Sequence, residues 1–180
     1  MHTTEEVIAQ TKKWITDVVI GCNFCPFAAR EIKRNSINYI VDESEDIAIC
    51  LHTFITECRR MDNDPAAETS FIVYTNAFEN FDDYLDLVSL AEALLEREGY
   101  EGIYQVASFH PQYCFEDTRE NDAANYTNRS IYPMLHILRE ESIEAALEHY
   151  ADPESIPKRN VQFARQKGVV YMKMLRDACL

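Results

Sequence analysis

The sequence predicts an α/β fold, a small and mostly parallel sheet of three to four strands with helices packed against it and helices at its end. Three observations predict it. Three short runs rich in β-branched and aromatic residues lie at 36–41, 71–75 and 103–109. Two stretches of helical apolar spacing separate them, which calls for crossovers that are right-handed where strands are parallel. The last third of the chain returns to helical patterns.

The elements follow in order. Thr3 and Glu6 form a capping-box pair, and Val7, Thr11, Trp14, Ile15, Val18, Val19 and Cys22 follow at helical spacing, with Gly21 offering a stop. After a polar connection, Ile37, Tyr39 and Val41 alternate as in a short strand near a sheet edge. Asp42 then starts a helix with the apolar stripe Ile47, Leu51, Phe54, Ile55 and Cys58. Residues 71–75, FIVYT, read as a strand covered on both faces and so as the central one. Asn80 with Asp83 opens a third helix whose apolar positions are Tyr84, Leu87, Val88, Ala91, Leu94 and Leu95, closed by Gly99. Gly102 precedes the third strand, and helix returns from about Ser130, from Ser142 and from Pro157, whose ring suits a first turn.

A chain of 180 residues with 47% apolar residues supports one sizeable core, so residues 1–180 read as a single domain, with no repeat or linker to divide it. The formal charge of −14 argues against a nucleic-acid surface, because phosphate contacts would meet an opposing field. No apolar run is long enough to span a bilayer, and the start carries acid where a signal peptide carries base, so no membrane contact and a cytoplasmic location are expected. A reducing compartment keeps the six cysteines as thiols. Basic residues gather at the end, at Lys158, Arg159, Arg165, Lys167, Lys173 and Arg176, as a solvated or internally paired face or, on another reading, a partner-docking patch.

Chemistry concentrates in residues 108–140, SFHPQYCFEDTRENDAANYTNRSIYPMLHILRE. His110 sits at the carboxyl end of the third strand, the edge where open α/β sheets place ligands, and Pro111 fixes its exit. Asn125, Asn128, Arg129 and Ser130 precede a predicted helix that Pro133 helps to start, and a helix amino end attracts anions. Arg129 adds a fork suited to phosphate or carboxylate, while Asn125 and Ser130 suit caps and loop bracing. In that helix Ile131, Met134, Leu135 and Leu138 face inward, so His136, Arg139 and Glu140 share another face, as an acid–base group or as a solvated surface. Cys22 and Cys25 form a C-x-x-C that follows a helix instead of preceding one, which weakens a redox analogy, and a lone pair is a weak zinc signal. No metal and no cofactor are expected.

With CPFA at 25–28, SFHP at 108–111 and NYTNRSIYPMLHILRE at 125–140, the chain resembles, over nearly its whole length, a bacterial family known as domain of unknown function 1415. Ile131 stands where that family's last block has its first proline, and Cys22 where an aliphatic residue is usual, which lowers the redox reading further. The resemblance brings no established activity. It implies importance for Cys25, Pro26, Phe27, His110, Pro111, Asn125, Asn128, Arg129, Ser130, His136, Arg139 and Glu140.

Together these features point to a small anionic ligand, bearing phosphate or carboxylate, that is bound or transformed by a hydrolase or transferase chemistry. Arg129 and Arg139 would hold the anion, His110 or His136 would move protons, and Glu140 or Asp122 would orient the imidazole. A variant uses Cys25 as nucleophile with His110 as base. The alternative is a non-catalytic structural or interaction domain in which the polar stretch is an internal clamp. The sequence carries no signal of an oligomeric state.

Overall fold

Both bonds of the expected capping box form: Glu6 N donates to Thr3 Oγ1 at 3.2 Å and Thr3 N to Glu6 Oε2 at 2.8 Å. They start α1 (Thr4–Trp14), whose buried face is Val7, Thr11 and Trp14. The computed structural model describes residues 2–148 and 150–180. Its further elements are α2 (Ala28–Arg34), β1 (Ile37–Asp42), α3 (Ile47–Asp62), β2 (Thr69–Tyr74), α4 (Phe81–Arg97), β3 (Tyr104–Phe109), β4 (Met134–Arg139), α5 (Glu140–Leu147), α6 (Ser155–Lys167) and α7 (Val169–Asp177). A π-helical segment, Ile15–Ile20, continues α1, and a 3-10 turn spans Ala123–Thr127.

The four strands form one open sheet in the order β1-β2-β4-β3. The first three run in one direction, yet only β1 and β2 pair in parallel, because β4 enters antiparallel between β2 and β3. The sheet is therefore mixed, not mostly parallel. The difference has one source: residues 134–139 are a strand where a helix from Ser130 was expected. A strand covered on both faces is a near-continuous apolar run, and MLHILR satisfies a helical stripe as well as an alternation. No helix begins near Ser130; α5 begins at Glu140.

Two further expectations change. Asp46, not Asp42, caps α3, accepting from Ala48 N at 2.8 Å, while Asp42 ends β1 and accepts from Ser44 N. The basic last helix is two helices broken at Gly168, whose φ of 82° favours glycine. Much of its charge is paired within the chain: Arg165 with Asp122 at 2.8 Å, and Lys173 and Arg176 with Asp177.

β2 is interior, and all six of its residues are buried. One face of the sheet packs Phe71, Val73 and Met134 against Trp14, Val18 and, from α6 and α7, Ala164 and Met172. The other packs Ile72, Tyr74, Leu135 and Ile137 against Phe54 and Cys58 of α3 and Tyr84 and Leu87 of α4. Among the described residues no helix is long and apolar enough to cross a membrane.

Candidate functional site

The register of the sheet sets Tyr39, Phe71, His136 and Ala107 side by side across four strands. Strand alternation puts His136 and Leu138 on the α1 face, while Leu135 and Ile137 enter the opposite core. Over this row the first core is incompletely filled. A cavity of about 220 Å³ opens there, floored by Thr69, Phe71, Phe109, His136 and Leu138 and roofed by residues from the amino-terminal helices and α5.

The roof depends on the π-helical turn. Gly21 N bonds to Thr16 O, five residues back, at 3.0 Å, and Phe24 N to Val19 O at 2.8 Å. A Cβ at Gly21 would lie 2.2 Å from Asp17 O, so this wide turn needs glycine for space. With it, Trp14, Ile15 and Val19 all face the cavity. Such π insertions recur at functional positions. The chain then turns through Cys25 into the short α2, so Cys25 does precede a helix, contrary to the sequence reading. Cys25, Phe27 and Ala28 complete that side, and Ile143 and Ala146 of α5 the other.

The floor holds one polar ring. His136 stacks on Phe71 with centroids 3.8 Å apart and planes 8° from parallel, and its Nε2 meets Thr69 Oγ1. Burial pushes its pKa down to about 3, so the imidazole is neutral at physiological pH. The Cys25 thiol has its pKa raised by burial, with the N–H groups of Phe27 and Ala28 opposing, which keeps it protonated. At the mouth, Arg30 pairs with Glu31 at 2.7 Å and Ser142 donates to Glu68 at 2.5 Å.

Of the remaining expected site residues Arg139 also touches the cavity wall, and the others lie elsewhere. His110 is fully buried; its Nδ1 accepts from Gln112 N at 3.0 Å and its Nε2 donates to Phe78 O at 2.8 Å. Both nitrogens of this neutral ring are thus used, and desolvation lowers its pKa. Asn125 Oδ1 accepts from Phe115 N at 3.0 Å and Thr118 Oγ1 at 2.7 Å, while its amide donates to Arg119 O at 2.8 Å. Asn128 donates to Ser108 O at 3.1 Å and Ser130 to Tyr132 O at 2.5 Å. Arg129 donates to the carbonyls of Tyr113 and Glu120 at 2.9 and 2.8 Å and lies over the Tyr126 ring. Arg139 donates to the carbonyls of Ala67, Asp64 and Met61 at 2.9, 3.1 and 2.5 Å.

These placements correct three expected groupings. With 134–139 a strand, His136, Arg139 and Glu140 do not share a helix face: His136 faces the cavity, the Arg139 guanidinium reaches the end of α3, and Glu140 borders a shallow depression beside Tyr104. No helix starts at Ser130, so the expected helix amino end is not formed there; Arg129 instead lines a separate cleft with Lys173, Arg176 and the first residues of α4 and α7. His110 borders neither space, so the histidine that lines the cavity with Cys25 is His136, not His110. Asp122 caps the 3-10 turn and pairs with Arg165. The sequence reading missed Trp14, Thr69 and Phe71 as site residues, because only strand register brings them under one roof. Among the described residues no group of three or more His, Cys, Asp or Glu is arranged to hold a metal ion.

Set against models of protein families, residues 6–174 match one described as "Protein of unknown function (DUF1415)". No curated protein and no solved structure matches the chain.

Proposed function

The chain belongs to that family of unknown function, and on that footing we propose that it binds a small, largely apolar molecule in the sheet cavity, with His136 and Cys25 as the reactive side chains facing it. The observation that carries the reading is the enclosure of an imidazole and a thiol within otherwise mostly apolar walls. A site with an apolar body and few polar groups is the usual form of a small-molecule pocket. At about 220 Å³ it exceeds the roughly 150 Å³ that admits benzene in an engineered cavity, so one substituted ring fits. Should the ligand be transformed, the protonated Cys25 thiol would need a proton acceptor to become a nucleophile, and the neutral His136 is the imidazole in the same walls.

This reading moves the ligand away from phosphate or carboxylate. Arg139 spends its donors on main-chain carbonyls, and Arg30 at the mouth is held by Glu31. For His110, Asn125, Arg129 and Arg139 the bonds to backbone groups support the bracing role: they tie residues 108–130 to one another and to Phe78, and the end of α3 to β4.

The test is a titration of the ¹⁵N-labelled chain with toluene and phenol, followed by NMR. Saturable shifts at Trp14, Phe71 and His136 that vanish in Ala107→Phe, which fills the floor beside His136, are expected. Shifts that persist in that variant, or none in the parent, overturn the reading.

A further inference from the structure

The hydrogen-bond directions around His136 carry a conclusion about which ligands the cavity takes. Thr69 Oγ1 lies 2.7 Å from Ile137 O, and a carbonyl oxygen can only accept, so the single hydroxyl hydrogen of Thr69 points there. The same oxygen also meets His136 Nε2. With its hydrogen committed, Thr69 can only accept from that nitrogen, so Nε2 carries the ring proton and Nδ1 is left with its lone pair. Among the described residues Nδ1 meets no donor, and it is not among the sealed, partnerless polar atoms as the indole N–H of Trp14 is. The ring forms part of the cavity floor, and Nδ1 is its one nitrogen without a partner among the described residues.

We infer that Thr69 sets the tautomer of His136 and thereby makes the cavity select neutral, ring-sized molecules that present a hydrogen-bond donor, such as phenolic O–H or heteroaromatic N–H compounds. The inference rests on the cavity being a binding site. Its chemistry is discriminating in both directions: a donor on the ligand completes Nδ1, whereas a carboxylate or a carbonyl would set one lone pair against another. One face of the ring is covered by its stack on Phe71, which fixes the plane of the imidazole. The sheet supplies the rest of the alignment, since Thr69 and His136 stand on adjacent strands near the Phe71–His136 register pair. Thr69 is thus a specificity-positioning residue. It acts on the ligand only through the imidazole.

The decisive experiment has two readouts on the full chain. Long-range ¹H–¹⁵N spectra of the imidazole report the tautomer without any ligand: Nε2–H is expected for His136 in the parent, and Nδ1–H would overturn the inference. Thr69→Val, which keeps the shape and removes the hydroxyl, is expected to give a mixture of the two forms. The second readout is the ratio of toluene to phenol dissociation constants in the parent and in His136→Phe, which keeps a stacking ring without the nitrogen. Losing one neutral hydrogen bond should lower that ratio roughly 3- to 10-fold in the variant. Binding of both compounds with an unchanged ratio would overturn donor selection while leaving the cavity reading intact. Binding of neither compound to the parent would remove both.

Discussion

His136 and Phe71 are register partners on β4 and β2, and their rings lie parallel with centroids 3.8 Å apart. That pairing places a neutral imidazole in the middle of an apolar sheet face. Burial holds it neutral in the folded protein, while the unfolded chain returns it to the ordinary histidine range.

A pH dependence follows. Between about 6.5 and about 3 the unfolded state binds a proton at His136 that the folded state does not, so this residue makes stability fall as pH drops through that window and adds no further loss below it. His136→Phe should remove this contribution. Urea unfolding of both proteins from pH 7 to 4 should show the parent losing more stability than the variant, on the order of 1 kcal/mol per pH unit. Parallel curves would refute the burial-held neutral ring.

Gly21→Ala places a methyl group 2.2 Å from Asp17 O, against main chain that cannot turn aside. The π-helical turn should shift, with a loss of roughly 1 to 3 kcal/mol in denaturant unfolding. Because Ile15 and Val19 stand in the same turn, toluene binding should weaken with it. Unchanged stability would mean that the turn relaxes without cost.

Arg139 supplies donors to three carbonyls at and beyond the end of α3. Arg139→Met strands those acceptors and should cost roughly 2 to 3 kcal/mol. Arg139→Lys should recover only part of it, since an ammonium lacks the planar fork that spans them. Full recovery by lysine would show that charge alone matters.

Cys25 lines the cavity with its thiol held protonated, so iodoacetamide at neutral pH should modify it slowly, and more slowly still with the cavity filled by toluene. Cys50 and Cys58, fully buried in α3, should react only on unfolding. Peptide mass spectrometry over time gives the order. Rapid labelling of Cys25 unaffected by toluene would place the thiol outside the cavity.

The elements that could be read along the chain are those whose signals are local. The Thr3–Glu6 box, the Asn80 cap, the doubly covered run at 71–75 and the three expected strands involve residues a few positions apart, and each forms close to where its pattern lies. The cap at Asp46 is local too, but Asp42 and Ser44 stand nearby as equally good candidates, whereas the break at Gly168 is a local glycine signal that the helical spacing around it masked.

What the sequence by itself determined is an α/β chain with its central strand, its first helix and its family membership, all carried by short-range periodicity, caps and contiguous blocks. The tertiary structure alone decided whether MLHILR would be helix or strand, because both satisfy its apolar pattern and only a free slot between β2 and β3 makes the strand the better burial. With that choice went the site. A period of 2 in place of 3.6 sends His136 and Arg139 to opposite faces of the sheet, and brings His136 to Thr69, Phe71 and Trp14, which local spacing had no means of joining.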